Sequence, residues 1–149
     1  MLNVRRTTIR PHLISLDGNQ RKININGPSN KPYGLEFSPS SQLLYVHASN
    51  DFFDRDDPSN NQIPSNHFSQ LIQYNLLNSD IGGTSVVIDD RNLYRGALQL
   101  GPNGKIYRAL SATYSQGTPY LGVINSPNNI GTACNYQHDA VYLSTNNSS

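Results

Sequence analysis

GLEFSPSSQLLYVHA (34–48) and GALQLGPNGKIYRAL (96–110) decide how this chain folds. Each sets apolar residues on both sides of a short turn. In the first, Leu35 and Phe37 alternate with Glu36 and Ser38, Pro39-Ser40-Ser41-Gln42 turns, and LLYVHA (43–48) returns. In the second, GALQLGP (96–102) leads into Asn103-Gly104 and KIYRAL (105–110) returns. Alternation with period two marks half-buried strands, and Asn-Gly accepts the positive φ of a hairpin turn. Pro39 and Pro102 stand 63 positions apart, and aligning them sets Leu35 on Leu98, Glu36 on Gln99 and Phe37 on Leu100. A one-residue deletion in the turn then brings Tyr45 onto Tyr107 and Ala48 onto or near Ala109. One hairpin is written twice.

The flanking segments repeat as well. QLIQYNLL (70–77) and TSVVID (84–89) follow the first copy as strands. YLGVIN (120–125) and AVYLS (140–144) follow the second. Residues 111–119 read as a loop and 126–135 as irregular. Ahead of the first copy, HLISL (12–16) and RKININ (21–26) flank an Asp-Gly turn signal, with Ile23 and Ile25 on one apolar face. The connector GPSNKP (27–32) is expected to stay outside any ladder. Without the polar insertion 49–69 the period is about 43 residues, inside the range of a propeller blade. A blade is a four-stranded antiparallel meander. The expected fold is therefore all-β, a partial β-propeller of about two and a half blades. Its parts are 10–32 (outer strands of a preceding blade), 33–90 (a blade carrying the insertion) and 96–144 (the next blade). The alternative is a β-sandwich with two similar hairpins. Propellers close at about four to eight blades, so further blades are expected from a longer chain, other copies or another protein.

Composition narrows the function classes. Charged residues make up 14% of the chain and the net charge is +1, so neither nucleic acid nor an anionic membrane is an expected partner. Arg5, Arg6 and Arg10 read as a solvated tail. The apolar runs are too short to span a bilayer. The opening MLNVRRTTIRPH lacks the apolar core of a signal peptide, which leaves the cytoplasm or a signal elsewhere in a longer protein. The lone Cys134 has no basic neighbour and reads as a buried, inert thiol.

Four residue sets could carry chemistry. Asp51, Asp54, Asp56 and Asp57 could hold calcium, but Phe53 and Asp56 fall where an EF-hand loop needs a ligand and a glycine, so a solvated acidic loop is expected. His47, His67 and His138 show no zinc-site spacing, and Ser111, Ser115 and His138 sit in no G-x-S-x-G elbow. Glu36 and Gln99 could point together into a central channel, as metal-holding groups do in propeller lactonases; hydrogen bonding within the blades is the alternative. No catalytic, cofactor or metal residue is assigned. Gly34 and Gly96, Pro39 and Pro102, and Tyr45 and Tyr107 read as architecture.

PYGLEFSPSSQLLYV (32–46) resembles the blade motif of YVTN-type and WD40-like propellers. With LIQYNLL, GALQLGPNGKIYRA and YLGVINSPNNIGTACNYQHDAVYL, residues 10–143 resemble the propeller-like region of large secreted proteins of Bacteroidota. Such proteins often carry a gliding-motility-associated C-terminal region, the type B signal of the type IX secretion system. His47, Arg108 and the insertion depart from that pattern. The resemblance implies a secreted or cell-surface, non-catalytic module for scaffolding, adhesion or interaction, with a surface polymer or protein as ligand and no cofactor. The alternatives are a lactonase-type propeller enzyme with a channel metal, and a recognition module built on a calcium-bound insertion.

Overall fold

A computed structural model of the chain describes residues 2–4 and 21–143. They form three antiparallel sheets. β1 (Leu2–Val4) pairs with β2 (Arg21–Ile23). The first four-stranded sheet runs in chain order through β3 (Lys31–Phe37), β4 (Leu43–Ser49), β5 (Ser69–Asn75) and β6 (Val86–Arg91). The second runs through β7 (Gly96–Leu100), β8 (Ile106–Ser111), β9 (Gly117–Ile124) and β10 (Tyr136–Tyr142). Both are the expected meanders. The repeat holds at the level of the ladder, with Glu36 opposite Tyr45 and Gln99 opposite Tyr107.

Alternation in β4 explains how the sheets stack. Leu44, Val46 and Ala48 point to one side, where they pack with Ile72, Tyr74 and with Ile23 and Ile25 of the leading segment. Leu43 and Tyr45 point to the other, where with Leu71 they meet Leu98, Ile106 and Ile124 of the second sheet. All seven β4 residues are buried. The first sheet is thus covered on both faces, whereas each sheet of a two-layer sandwich has one wet face. With the two first strands, β3 and β7, also in contact, this is the stacking of neighbouring blades, and it closes into no ring among the described residues.

Several boundaries differ from expectation. β3 starts at Lys31 and takes in Pro32, which the connector reading had kept out of the ladder. Proline is tolerated there because β3 is an edge strand. β9 starts at Gly117, inside the expected loop, and β10 starts at Tyr136, before the expected 140. The start of β9 is largely exposed, and the half-buried positions at the start of β10 are Tyr136 and His138, so neither extension shows an aliphatic alternation. Ala48 matches Leu110 rather than Ala109, since Ala48 pairs with Pro32 and Leu110 with Gly96. The described partner of β2 is Leu2–Val4; HLISL (12–16), Arg5, Arg6 and Arg10 lie outside the described residues.

Gly34 sets how closely the two first strands approach. A Cβ there would press into the carbonyl oxygen of Gly96 and sit 3.0 Å from the Ala97 Cα. Both obstacles are backbone and cannot rotate away. Gly34→Ala is therefore expected to cost about 3 kcal/mol, at the upper end of overpacking penalties. Urea denaturation measures it, and a loss below about 0.5 kcal/mol would mean the strands separate freely.

Candidate functional site

The polar side chains of the core converge where the first sheet meets the second. Arg108, on β8, is fully buried. Its Nη1 donates to Asp89 Oδ2 on β6 (2.7 Å) and to the Tyr136 hydroxyl on β10 (3.0 Å). Its guanidinium carbon lies 5.5 Å from the centre of the Tyr136 ring. The other edge of the guanidinium faces His47 Nδ1, at 3.3 Å from Nε and 3.0 Å from Nη2. An arginine only donates, so Nδ1 is the acceptor and the proton sits on Nε2. That nitrogen donates to the Tyr94 carbonyl at 3.2 Å. Burial, and then the adjacent guanidinium, push the His47 pKa down to about 3. Gly96 leaves the room, since a Cβ there would lie 2.7 Å from His47 Nδ1.

Other ties cross the same seam. The Tyr45 hydroxyl donates to the Pro127 carbonyl (2.9 Å) and accepts from Gln73 Nε2 (2.7 Å). Gln73 also donates to the Asn129 carbonyl and accepts from the Gly131 amide, both at 2.8 Å. The irregular 126–135 loop is thereby clamped onto the first sheet. Cys134 lies buried beneath it, with its thiol pKa raised by burial.

Glu36 and Gln99 do not converge. Glu36 Oε1 accepts from its neighbour's amide, Phe37 N, and Oε2 accepts from the Leu100 amide across the seam at 2.8 Å. Leu98 and Leu100 pack toward the first sheet, so alternation turns Gln99 to the opposite, exposed face of the second. The two residues occupy one position in successive sheets.

The histidines are also apart. His67 is buried within the insertion, donating from Nε2 to the Asn61 carbonyl (2.8 Å), with its ring beside Phe52 and Tyr94. His138 lies by the Tyr136 hydroxyl and Asp139. Among the described residues no three His, Cys, Asp or Glu side chains are grouped to hold a metal ion. Ser115 Oγ bonds Gln62, far from His138 in the hydrogen-bond network.

The acidic stretch of the insertion is largely exposed, as expected of a solvated loop, and local amides order it. Asp54 Oδ1 accepts from the amides of Asp56 and Asp57, and Oδ2 from Asn60 Nδ2. The Asp57 amide, then Asn60, hold the Asp54 carboxyl below its ordinary pKa. Asn61 bonds both the amide and the carbonyl of Asp54. Asp57 caps the short 3-10 turn Pro58–Gln62. Asp51 leaves the cluster to pair with Arg95 at 2.8 Å. Sequence reading had marked His47, Arg108 and Asp51 but could not join them to Asp89, Tyr136 and Arg95, because the partners lie 19 to 61 residues away.

Comparison of the chain with known protein families, curated proteins and solved structures finds no match.

Proposed function

We propose that this chain is a non-catalytic β-propeller module, a scaffold or interaction unit of a secreted or cell-surface protein, that works by stacking further blades. The observation carrying this reading is the unequal treatment of equivalent faces. The first sheet's following face is sealed by the second through Glu36, Tyr45 and His47. On the second sheet the same face presents Gln99, Tyr107 and Ala109 with Ala97 and Val141, and four of these five are exposed. Only Tyr107 is half-buried. Gln99 offers an amide oxygen where Glu36 uses a carboxylate oxygen to take an N–H from the next sheet. Repetition thus specifies what fits: a further sheet laid on this face, here the same exposed face of a second copy. The secreted setting rests on the sequence resemblance alone.

Sedimentation across micromolar concentrations tests this. The chain is expected to associate, and Gln99→Arg, at an exposed position, is expected to return it to monomer with unchanged thermal stability. A chain that stays monomeric throughout, or lactone hydrolysis that Glu36→Gln abolishes, would overturn the proposal.

A further inference from the structure

Where β7 begins, the insertion and the 111–116 loop build a second feature that the blade repeat does not require. A depression of about 310 Å³ is lined by Tyr33, Tyr94, Arg95, Tyr114 and the backbone of Gly96 and Ser111. Tyr33 is 59% exposed and Tyr114 51% exposed. Tyr33 is aimed there by a bulge: β3 and β4 pair at Pro32 with Ala48 and again at Gly34 with His47, leaving Tyr33 between them. A second register break, between Ala109 and Ser111 on β8, lies on the same rim. Tyr114 is held by the insertion. Its amide donates to the Asn61 carbonyl, Thr113 and Ser115 both donate to Gln62 Oε1, and its ring packs 5.4 Å from Phe53. Arg95 lies flat between rings, 4.7 Å from the centre of Tyr94 and 5.3 Å from Tyr33, and bonds Asp51.

We infer that this depression binds a neutral saccharide. Its two exposed tyrosines offer flat faces whose negative π-cloud attracts the positive C–H edges of a sugar ring. Arg95 lines the wall as a hydrogen-bond donor for ring hydroxyls, and Asp51, paired with it at 2.8 Å, offsets its charge. Because the pair cancels its own charge, the wall gives an ionic ligand no net attraction. The volume stands at the small end of ligand pockets, room for one or two rings of a polymer that runs on across the surface. On this reading the insertion, superfluous to a blade, positions the site from outside it, holding Tyr114 through Asn61 and Phe53 and Arg95 through Asp51. Ala97 and Ala109 border both this depression and the stacking face, whereas Tyr33, Arg95 and Tyr114 belong to the depression and Gln99 to the stacking face.

Affinity electrophoresis of the whole chain through gels holding β-glucan, xylan, mannan or dextran reads this out, with alginate as the anionic comparison and gelatin as the polypeptide one. Retardation by at least one neutral glycan is expected. Tyr33→Ala and Tyr114→Ala should each weaken it about tenfold, Tyr33→Phe should retain it, and Tyr142→Ala, exposed on β10, should leave it unchanged. Gln99→Arg should leave it unchanged too, which separates failure of this site from failure of the stacking face. Circular dichroism confirms that the variants fold. No retardation by any neutral glycan, retardation by alginate or gelatin alone, or retardation indifferent to Tyr33 and Tyr114 would overturn the inference.

Discussion

Arg108→Met is expected to lower the stability of the chain by about 3–5 kcal/mol, the cost of removing one partner from a buried ion pair. Arg108 has no solvent to fall back on, and its side chain is 0% exposed against 9% for Asp89. Its removal strips a donor from Asp89, a donor from the Tyr136 hydroxyl and both contacts to His47 Nδ1 in one step. Methionine keeps much of the aliphatic volume, so most of the loss is electrostatic rather than a cavity. Asp89 retains Arg91, 2.9 Å away on the exposed side, which keeps the expected cost from rising further. For a chain of this length the shift in Tm is about 6–20 °C. The double variant Arg108→Met with Asp89→Leu should recover a substantial part of the loss, because no carboxylate is then left unpaired. A single variant within 1 kcal/mol of the parent would show that water reaches the seam.

Acid is expected to unfold the protein through His47. The imidazole is neutral in the folded chain down to about pH 3, against an ordinary value of 6.5. Between those values the unfolded chain binds a proton that the folded chain refuses. Stability therefore is complete above pH 6.5 and falls as pH drops. The slope is about 1.4 kcal/mol per pH unit, and the whole window is worth about 5 kcal/mol. The refusal has a geometric cause: a proton on Nδ1 would face the Arg108 guanidinium across 3.0 Å. His138, also depressed chiefly by burial, adds a slope of the same sign. Urea denaturation at pH 7.5, 6, 5 and 4 measures the effect. His47→Gln can keep one donor and one acceptor and should flatten the slope by about one proton. An unchanged slope in that variant would place the acid-sensitive group elsewhere.

What could be read from residues alone follows from how far apart the interacting groups lie in the chain. The two hairpins were legible because alternation and turn chemistry act within ten residues: Ser41 takes a φ of 58° and Gly104 one of 75°, at the turns the sequence marked. Ile23 and Ile25 were legible as one buried face for the same reason. The equivalence of Glu36 with Gln99 and of Tyr45 with Tyr107 was legible from the internal alignment, and the two ladders carry it. The exposed start of β9 was not, since a strand without a buried face leaves no apolar period, nor the start of β10, whose half-buried positions are Tyr136 and His138. The acidic run looked like a charge cluster, yet Asp54 and Asp57 bond their own backbone, an effect Asn and Asp side chains produce without any periodic signal.

By itself, then, the order of residues determined that this protein is all-β and that its unit is a repeated four-stranded meander, because strand period and turn stereochemistry are local. Only the tertiary structure decided what the repeat leaves over. Stacking brought His47 to Arg108 and Asp89, sent Glu36 across the seam while its counterpart Gln99 stayed exposed, and folded the insertion against Arg95 and Tyr114. Those meetings depend on which face of each sheet is covered and by what, and burial of a shared face is a property of two distant segments at once.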